Sequence, residues 1–218
     1  MLQVEVYSDI ACPWCYVGKR RFEKALAAFP DGAGVEVVYR PYQLDPSTPE
    51  KAEPLSERLA VKFGREQLPA MHARLNEIGQ AEGIAFDFDS ALSANTFTGH
   101  RLLWHALEEY GRETQAALKE RLLRGYFGEG LDVGDHGKLT ELAAEAGLDR
   151  DRTAAFLASD EGLAQVRQAI DEAREIGVTA VPTFVFQGKW AVQGAQEAET
   201  FLQVLEQVTE ELGKQPSA

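Results

Sequence analysis

Cys12-Pro13-Trp14-Cys15 holds the two cysteines of a 218-residue chain and follows a short apolar run that begins at Val4. Within one copy of the chain, these two thiols can form a disulfide only with each other. A C-x-x-C motif beside a β-α-β pattern, in a chain without a secretion signal, is typical of a redox-active pair. We therefore expect the chemistry of the protein at this motif and interpret the other residues around it.

The residues on either side of the motif predict a β-α-β unit. Apolar and polar residues alternate from Leu2 onwards, which predicts a strand through about Tyr7. Helical spacing of apolar residues follows from Phe22 to Phe29, and residues 35–39 are β-branched or aromatic, as in a second strand. The C-x-x-C motif then lies at the N-terminus of the first helix.

The rest of the chain divides into a helical segment and a second mixed segment. Prolines interrupt regular structure in residues 41–54, and residues 55–160 have helical spacing with polar or glycine breaks. The last part predicts a helix, a β-hairpin and an amphipathic helix, at residues 166–176, 183–192 and 201–212, before a frayed tail at 213–218.

The order of these elements predicts the α/β class and a divided domain. Without the helical segment, the order is β-α-β followed by α-β-β-α, which is that of a thioredoxin fold. The sequence therefore predicts a thioredoxin fold formed by residues 1–45 and 163–218, with an inserted all-helical domain at residues 46–162.

The position of Cys12 at a helix N-cap suits thiol chemistry. The first N–H groups of a helix have no intrahelical partners, and the helix dipole is positive at that end, so a thiolate is favoured there. Cys15, one turn later, can attack a mixed disulfide on Cys12 and release the substrate. Pro13 suits the first helical position. Trp14 brings an apolar surface beside an exposed sulfur and no cation, which predicts a less stabilised thiolate than in strongly oxidising disulfide donors.

Two other roles for the motif are weaker. C-x-x-C can be half of a zinc site, but two further ligands are needed, and the four histidines lie far away in sequence. A purely structural disulfide across so short a loop would stabilise the fold little. We therefore expect no metal site.

A second signal lies in the segment 179–183, Thr-Ala-Val-Pro-Thr, just before a predicted strand. Pro182 can be an ordinary trans proline that ends a loop, since proline is tolerated at the start of a strand. Alternatively, the Val181–Pro182 bond is cis and exposes the Val181 backbone beside the sulfur, ready to pair with an extended substrate.

Taken together, several stretches resemble the DsbA-like superfamily and, within it, the FrnE branch. They are the first strand with Ser8-Asp9 before C-P-W-C, the segments 95–102, 126–133 and 142–148, and the segment 177–184. The resemblance covers nearly the whole chain. It implies a thioredoxin fold interrupted by a helical domain and thiol–disulfide oxidoreductase activity. It also implies that Cys12 is the nucleophile, Cys15 the resolving thiol and Pro182 a cis proline.

Sister branches of this superfamily open two further hypotheses. Kappa-class glutathione transferases and 2-hydroxychromene-2-carboxylate isomerases use glutathione and typically have serine at the nucleophile position. A glutathione-dependent isomerase or transferase acting on a small aromatic compound is therefore the alternative, although Cys12 and Cys15 favour redox chemistry. A binding or chaperone module with an apolar cleft around Trp14 is the third hypothesis.

Asn95 and Asp9 are lesser candidates. Asn95 precedes a predicted helix and suits its N-cap, while the family analogy also places it near the active-site cleft as a substrate contact. Asp9 suits a turn before the first helix, or a proton shuttle for Cys15. The candidate substrate-binding residues are Pro13, Trp14, Val181, Pro182 and Asn95.

Charge and composition limit the partners. The formal net charge of −13 repels phosphate backbones, so we expect no nucleic acid partner. No apolar run is long enough to span a membrane, and the N-terminal residues lack the features of a signal peptide, so we expect a cytoplasmic protein. The expected partner is a thiol or disulfide substrate, protein or small molecule. We expect no bound cofactor, with glutathione as a candidate redox partner.

Overall fold

The computed structural model describes residues 2–214 and has a four-stranded mixed sheet at its centre. The strand order is β2-β1-β5-β6; β1 pairs with β2 in parallel and with β5 antiparallel, and β5 and β6 form the hairpin. The four strands are β1 (Leu2–Ser8), β2 (Val35–Pro41), β5 (Thr183–Phe186) and β6 (Trp190–Gln193). All four lie where the sequence predicts strands.

Three helices cover this sheet. They are α1 (Pro13–Ala28), α8 (Leu163–Glu175) and α9 (Ala198–Lys214). Alternate residues of the strands face α1 and α9, and Phe22 packs there with Phe184 and Phe201 at ring-centroid distances of 5.0 and 5.3 Å. On the other face, Tyr7 packs with residues of α8. The predicted thioredoxin fold, β-α-β then α-β-β-α, is confirmed.

The segment between β2 and α8 is mostly helical. Its helices are α2 (Leu55–Phe63), α3 (Leu68–Ala81), α4 (Phe97–Tyr110), α5 (Arg112–Gly128), α6 (His136–Glu145) and α7 (Arg150–Leu157). The prediction of an all-helical insertion is wrong in one detail. Strands β3 (Glu53–Pro54) and β4 (Leu92–Ser93) form a two-residue antiparallel ladder, which is too short to leave a signal in the sequence.

The insertion is not an independent body, because α5 packs on both β2 and α1. The side-chain amide of Gln115 on α5 accepts from Tyr39 N–H and donates to the Tyr39 carbonyl, both at 2.9 Å, and so pairs the open edge of β2. Glu120 binds Lys19 of α1 at 2.8 Å and Tyr16 at 2.6 Å. Tyr16 also joins the main core of the insertion. The boundaries at 45/46 and 162/163 stay predictions.

Two further expectations concern the membrane and the tail. Within residues 2–214, no helix combines the length and apolar character that crossing a bilayer requires. α9 continues through Gly213 and Lys214, which the sequence assigned to a frayed tail, whereas residues 215–218 lie outside the described part of the chain.

Candidate active site

The C-x-x-C motif begins the first helix. Cys12 is the N-cap residue of α1, with an extended backbone, and Pro13 is its first helical residue. The Cys15 N–H donates to the Cys12 carbonyl oxygen at 3.0 Å, so the two cysteines are one turn apart. Both cysteines are free. The Cys12 side chain therefore lies at the positive end of the helix dipole, which favours negative charge there.

The loop before β5 lies against the Cys12 sulfur. The Val181–Pro182 peptide bond is cis, the second of the two alternatives considered from the sequence. Cys12 Sγ lies 3.6 Å from the Val181 carbonyl oxygen, although 169 positions separate the two residues. The Pro182 carbonyl accepts from Gly194 N–H at 2.8 Å, which holds the loop against the hairpin. The fold thus brings the two sequence motifs together.

Gly18 allows α1 to approach this loop closely. A Cβ atom at Gly18 would lie only 2.9 Å from Pro182 Cγ and 3.4 Å from Ala195 Cα. The sequence analysis missed this residue. A glycine in a helical pattern signals that some group packs closely, but not which group.

The outer rim of the site is apolar. Trp14 is 38% exposed and Leu44 is 46% exposed. Leu44 is held at the site because its N–H donates to Asp9 Oδ2 at 2.8 Å. The expectation of an exposed sulfur is wrong, since Cys12 is only 4% exposed beneath the Val181 carbonyl.

Asp9 lies directly beneath the motif and is buried, so it is more than a turn residue. Its Oδ1 lies 3.2 Å from His100 Nε2. Burial raises the pKa of Asp9, but hydrogen bonds from His100, Leu44 and Thr96 outweigh burial and hold the pKa below its usual range. Burial lowers the pKa of His100, and the Asp9 charge only partly opposes this. At neutral pH the pair is therefore a carboxylate and a neutral imidazole.

The insertion supplies His100 through a close contact of α4 with the active-site loop. A Cβ atom at Gly99 would lie 2.5 Å from Ile10 Cδ1, so only glycine permits this approach without a shift of Ile10. His100 follows immediately and points to Asp9.

Lys119 on α5 is a second buried charged residue at the site. It is 1% exposed, and its Nζ has no hydrogen-bond partner among residues 2–214. The ammonium lies 6.0 Å from the centroid of the Tyr39 ring. Burial lowers the pKa of Lys119 to about 8, against the opposing effect of negative charge on Cys15, Asp9 and Cys12. The side chain is therefore mostly protonated at neutral pH.

The two thiols have different environments. Burial raises the pKa of the Cys15 thiol well above its usual range. A hydrogen bond to the Cys12 sulfur and negative charge on Cys12 raise it further, whereas Lys119 and the Asp9 backbone lower it. This arrangement keeps the proton on Cys15.

The Asn95 side chain makes four hydrogen bonds within the protein. Its Oδ1 accepts from Phe97 N–H and from Gln43 Nε2, both at 2.9 Å. Its Nδ2 donates to the carbonyls of Pro46 and Thr48 at 3.1 and 2.9 Å. The formal N-cap of α4 is Thr96, without a side-chain cap, so Asn95 serves the helix start from one position earlier. Its role as a substrate contact stays a prediction.

His100 and Lys119 are site residues that sequence reasoning missed. A signal exists for Lys119: Gln115, Lys119, Leu122 and Tyr126 share one helical face, so two polar residues lie on an otherwise apolar stripe. Charged residues are rarely buried, so this position on the stripe marks Lys119 as unusual. For the zinc alternative, no group of three or more metal-ligating side chains occurs in the described chain.

Comparison with known proteins agrees with the fold described above. The family model for the DSBA-like thioredoxin domain matches residues 3–206. The uncharacterized protein YwbO of Bacillus subtilis is 30% identical over 202 residues, which cover 92% of this chain and 94% of YwbO.

Solved structures extend the comparison. The crystal structure of a probable DsbA oxidoreductase from Streptomyces coelicolor is 42% identical, with a TM-score of 0.89, covering 100% of this chain and 93% of that one. The cytosolic disulfide reductase DsbM from Pseudomonas aeruginosa, solved with GSH, has a TM-score of 0.66 at 17% identity, covering 95% of this chain and 99% of that one. The second likeness concerns the fold alone.

Proposed function

Because the chain belongs to the DSBA-like thioredoxin domain family, we propose that it is a thiol–disulfide oxidoreductase that works through Cys12 and Cys15. One observation carries the proposal. Cys12 caps helix α1, Cys15 lies one turn later, and the Val181 carbonyl is 3.6 Å from the Cys12 sulfur. A nucleophile, a resolving thiol and a backbone acceptor for an extended substrate are thus in one place.

The reaction requires two displacements at sulfur. The Cys12 thiolate attacks one sulfur of a substrate disulfide, and the other substrate sulfur leaves with the electron pair as a thiolate. Cys15, after losing its proton, attacks the Cys12 sulfur and releases the second substrate thiolate. The substrate is reduced and the Cys12–Cys15 pair is oxidised; the reverse sequence oxidises a dithiol. The reduction potential of the pair relative to its surroundings sets the direction.

The unequal thiols explain why the two displacements occur in order. Before the reaction, burial together with Cys12 itself keeps the proton on Cys15. In the mixed disulfide, Cys12 carries no charge, so the negative charge that raises the pKa of Cys15 disappears. The resolving thiol is thereby activated only once there is a mixed disulfide to resolve.

The FrnE-like branch, a cytoplasmic location and glutathione as redox partner belong to the same proposal. The fold relative DsbM is a cytosolic reductase solved with GSH, which supports glutathione as the first thiol to test. Pro13, Trp14, Val181 and Pro182 form the contact surface for substrate in this proposal. The rim at Trp14 and Leu44 favours the apolar part of a disulfide substrate.

The test is glutathione-dependent reduction of insulin by wild type, Cys12→Ser and Cys15→Ser. We expect Cys12→Ser to lose activity and Cys15→Ser to accumulate a mixed disulfide with glutathione, detected by mass spectrometry of the intact protein. Activity unchanged in Cys12→Ser would remove the redox proposal. The isomerase alternative would be favoured if Cys15→Ser still converted a chromene carboxylate in a glutathione-dependent reaction. The chaperone alternative would be favoured if a protein lacking both thiols still protected other proteins against aggregation.

A further inference from the structure

Residues 194–197, between β6 and α9, support the loop that carries the cis proline. They have no regular secondary structure, and we call them the buttress segment. The Gly194 N–H donates to the Pro182 carbonyl at 2.8 Å. Ala195 lies beside Pro182 against α1, because a Cβ atom at Gly18 would be 3.4 Å from Ala195 and 2.9 Å from Pro182 Cγ. The position of the cis-proline loop therefore depends on the buttress segment.

Arg21 of α1 holds the buttress segment in place. It follows Gly18 by three positions and so lies one turn later on the same side of the helix. Its Nη1 is 2.8 Å from the Ala195 carbonyl oxygen and 2.8 Å from Glu197 Oε1. Its Nε donates to Glu82 Oε1 at 2.7 Å. The planar guanidinium, whose donors have a fixed geometry, thus joins α1, the buttress segment and the insertion.

Glu82, at the C-terminal end of α3, fixes the orientation of Arg21. Only 7% of its side-chain surface is exposed, and its second oxygen binds Lys24 Nζ at 2.6 Å. Burial raises the pKa of Glu82, but hydrogen bonds from Lys24 and Arg21 outweigh burial and hold the pKa below its usual range. A buried ion pair contributes little net stability, and its best-attested role is to specify one arrangement of the parts that it joins.

We propose that Arg21 is a positioning residue for substrate binding, which keeps the cis-proline loop at its distance from the Cys12 sulfur. The inference rests on the proposed redox function. Contacts run from Glu82 through Arg21 and the buttress segment to Pro182, and the next carbonyl, that of Val181, lies over the sulfur. The substrate class that needs this arrangement is an extended peptide with a disulfide, because only such a substrate pairs with the Val181 backbone.

Loosening the buttress segment should have two opposite effects. Cys12 is 4% exposed beneath the Val181 carbonyl, so a loop that moves away admits small reagents to the sulfur. The same movement removes the fixed backbone acceptor and weakens the reaction with extended peptides. Arg21→Met produces this change, because methionine keeps the apolar length of the side chain and loses both contacts to the buttress segment.

The first measurement is alkylation of Cys12 by iodoacetamide in a Cys15→Ser background, followed by intact-protein mass spectrometry. We expect Arg21→Met to accelerate it by about threefold or more, as the shielding carbonyl moves away. Removal of a positive charge would by itself disfavour the Cys12 thiolate and slow alkylation, so the expected acceleration has the opposite sign to an effect of charge.

The second measurement compares two disulfides that react with the reduced protein containing both cysteines. One is a short unstructured peptide dimerised through its single cysteine, and the other is bis(hydroxyethyl) disulfide, which has no peptide backbone. We expect Arg21→Met to slow reduction of the peptide by about fivefold, the effect of one net hydrogen bond. Reduction of the hydroxyethyl compound should not become slower.

Arg124→Met is the matched control, because Arg124 is 65% exposed on α5 and also binds a glutamate, Glu129. All of its rates should equal those of wild type. Unchanged alkylation in Arg21→Met, or equal slowing of both disulfides, overturns the proposal. If Arg21→Met does not fold, Glu82→Gln is judged by the same criterion, since it weakens the hold on the guanidinium. Failure of wild type to reduce either disulfide would instead refute the proposed function, while the alkylation result would still test the role of Arg21.

Discussion

Replacing Lys119 by methionine should stabilise the protein at neutral pH. Methionine keeps the unbranched apolar part of the side chain and removes a buried ammonium that has no hydrogen-bond partner within residues 2–214. Burial lowers the pKa of Lys119 from 10.5 to about 8, which corresponds to a penalty of roughly 3 kcal/mol for the protonated form in the folded chain. Lys119→Met should recover a large part of that free energy of unfolding.

The gain in free energy of unfolding from Lys119→Met should decrease as the pH rises. Between about pH 8 and pH 10.5, the unfolded chain keeps the Lys119 proton and the folded chain does not, so wild-type stability rises with pH through this window. The advantage of Lys119→Met is therefore complete below about pH 8 and vanishes by about pH 10.5. The raised pKa of Cys15 has the opposite effect, and it rises further without Lys119, which adds to the loss of the advantage at high pH.

The measurement is urea unfolding of reduced wild type and Lys119→Met, followed by circular dichroism at neutral pH and near pH 10.5. Lys138→Met serves as the control because Lys138 lies exposed on α6. It should leave the free energy of unfolding within about 0.5 kcal/mol of wild type, as is usual for exposed sites. A Lys119→Met protein that is less stable than wild type at neutral pH would refute the reasoning. So would a gain that stays constant across the pH window.

Two further substitutions test other parts of the site. Gly18→Ala places a Cβ 2.9 Å from Pro182 Cγ, so α1 and the loop before β5 must separate. We expect the free energy of unfolding, measured in urea, to fall by about 1–3 kcal/mol and insulin reduction to become slower. An unchanged reduction rate would contradict the role of this contact. Gln115→Leu leaves the buried N–H and carbonyl of Tyr39 unpaired. We expect the free energy of unfolding to fall by about 2 kcal/mol or more and the Tyr39 amide to exchange its hydrogen faster. Exchange protection equal to that of wild type would contradict the pairing.

Several features were predictable because their signals are local. Alternation of apolar residues identified the strands, and a helix beginning directly after Cys12 followed from Pro13 and the later apolar spacing. The cis bond at Val181–Pro182 was one of two alternatives, and the family resemblance favoured it. In each case the relevant residues lie within a few positions of one another.

The buried charges were not predictable, because their partners come from distant segments. Lys119 lies on an apolar stripe of α5, but the sequence does not name its neighbours, and His100 becomes a site residue only because α4 packs against Asp9. The same is true of the covered Cys12 sulfur, which a loop 169 positions later closes. Burial is a property of the assembled fold, so local sequence patterns do not reveal it.

Helix α5 sets a limit on how this protein could be simplified or recombined. A shortened chain in which a linker replaced residues 46–162 would lose the amide that pairs the edge of β2 and would uncover apolar residues of the motif region, such as Ile10, Tyr16 and Val17. An unpaired strand edge beside a newly exposed apolar surface is a template for aggregation. Exchange of insertions between relatives would therefore succeed only if the donor carried its own equivalent of Gln115, so the two parts of this chain are expected to evolve together.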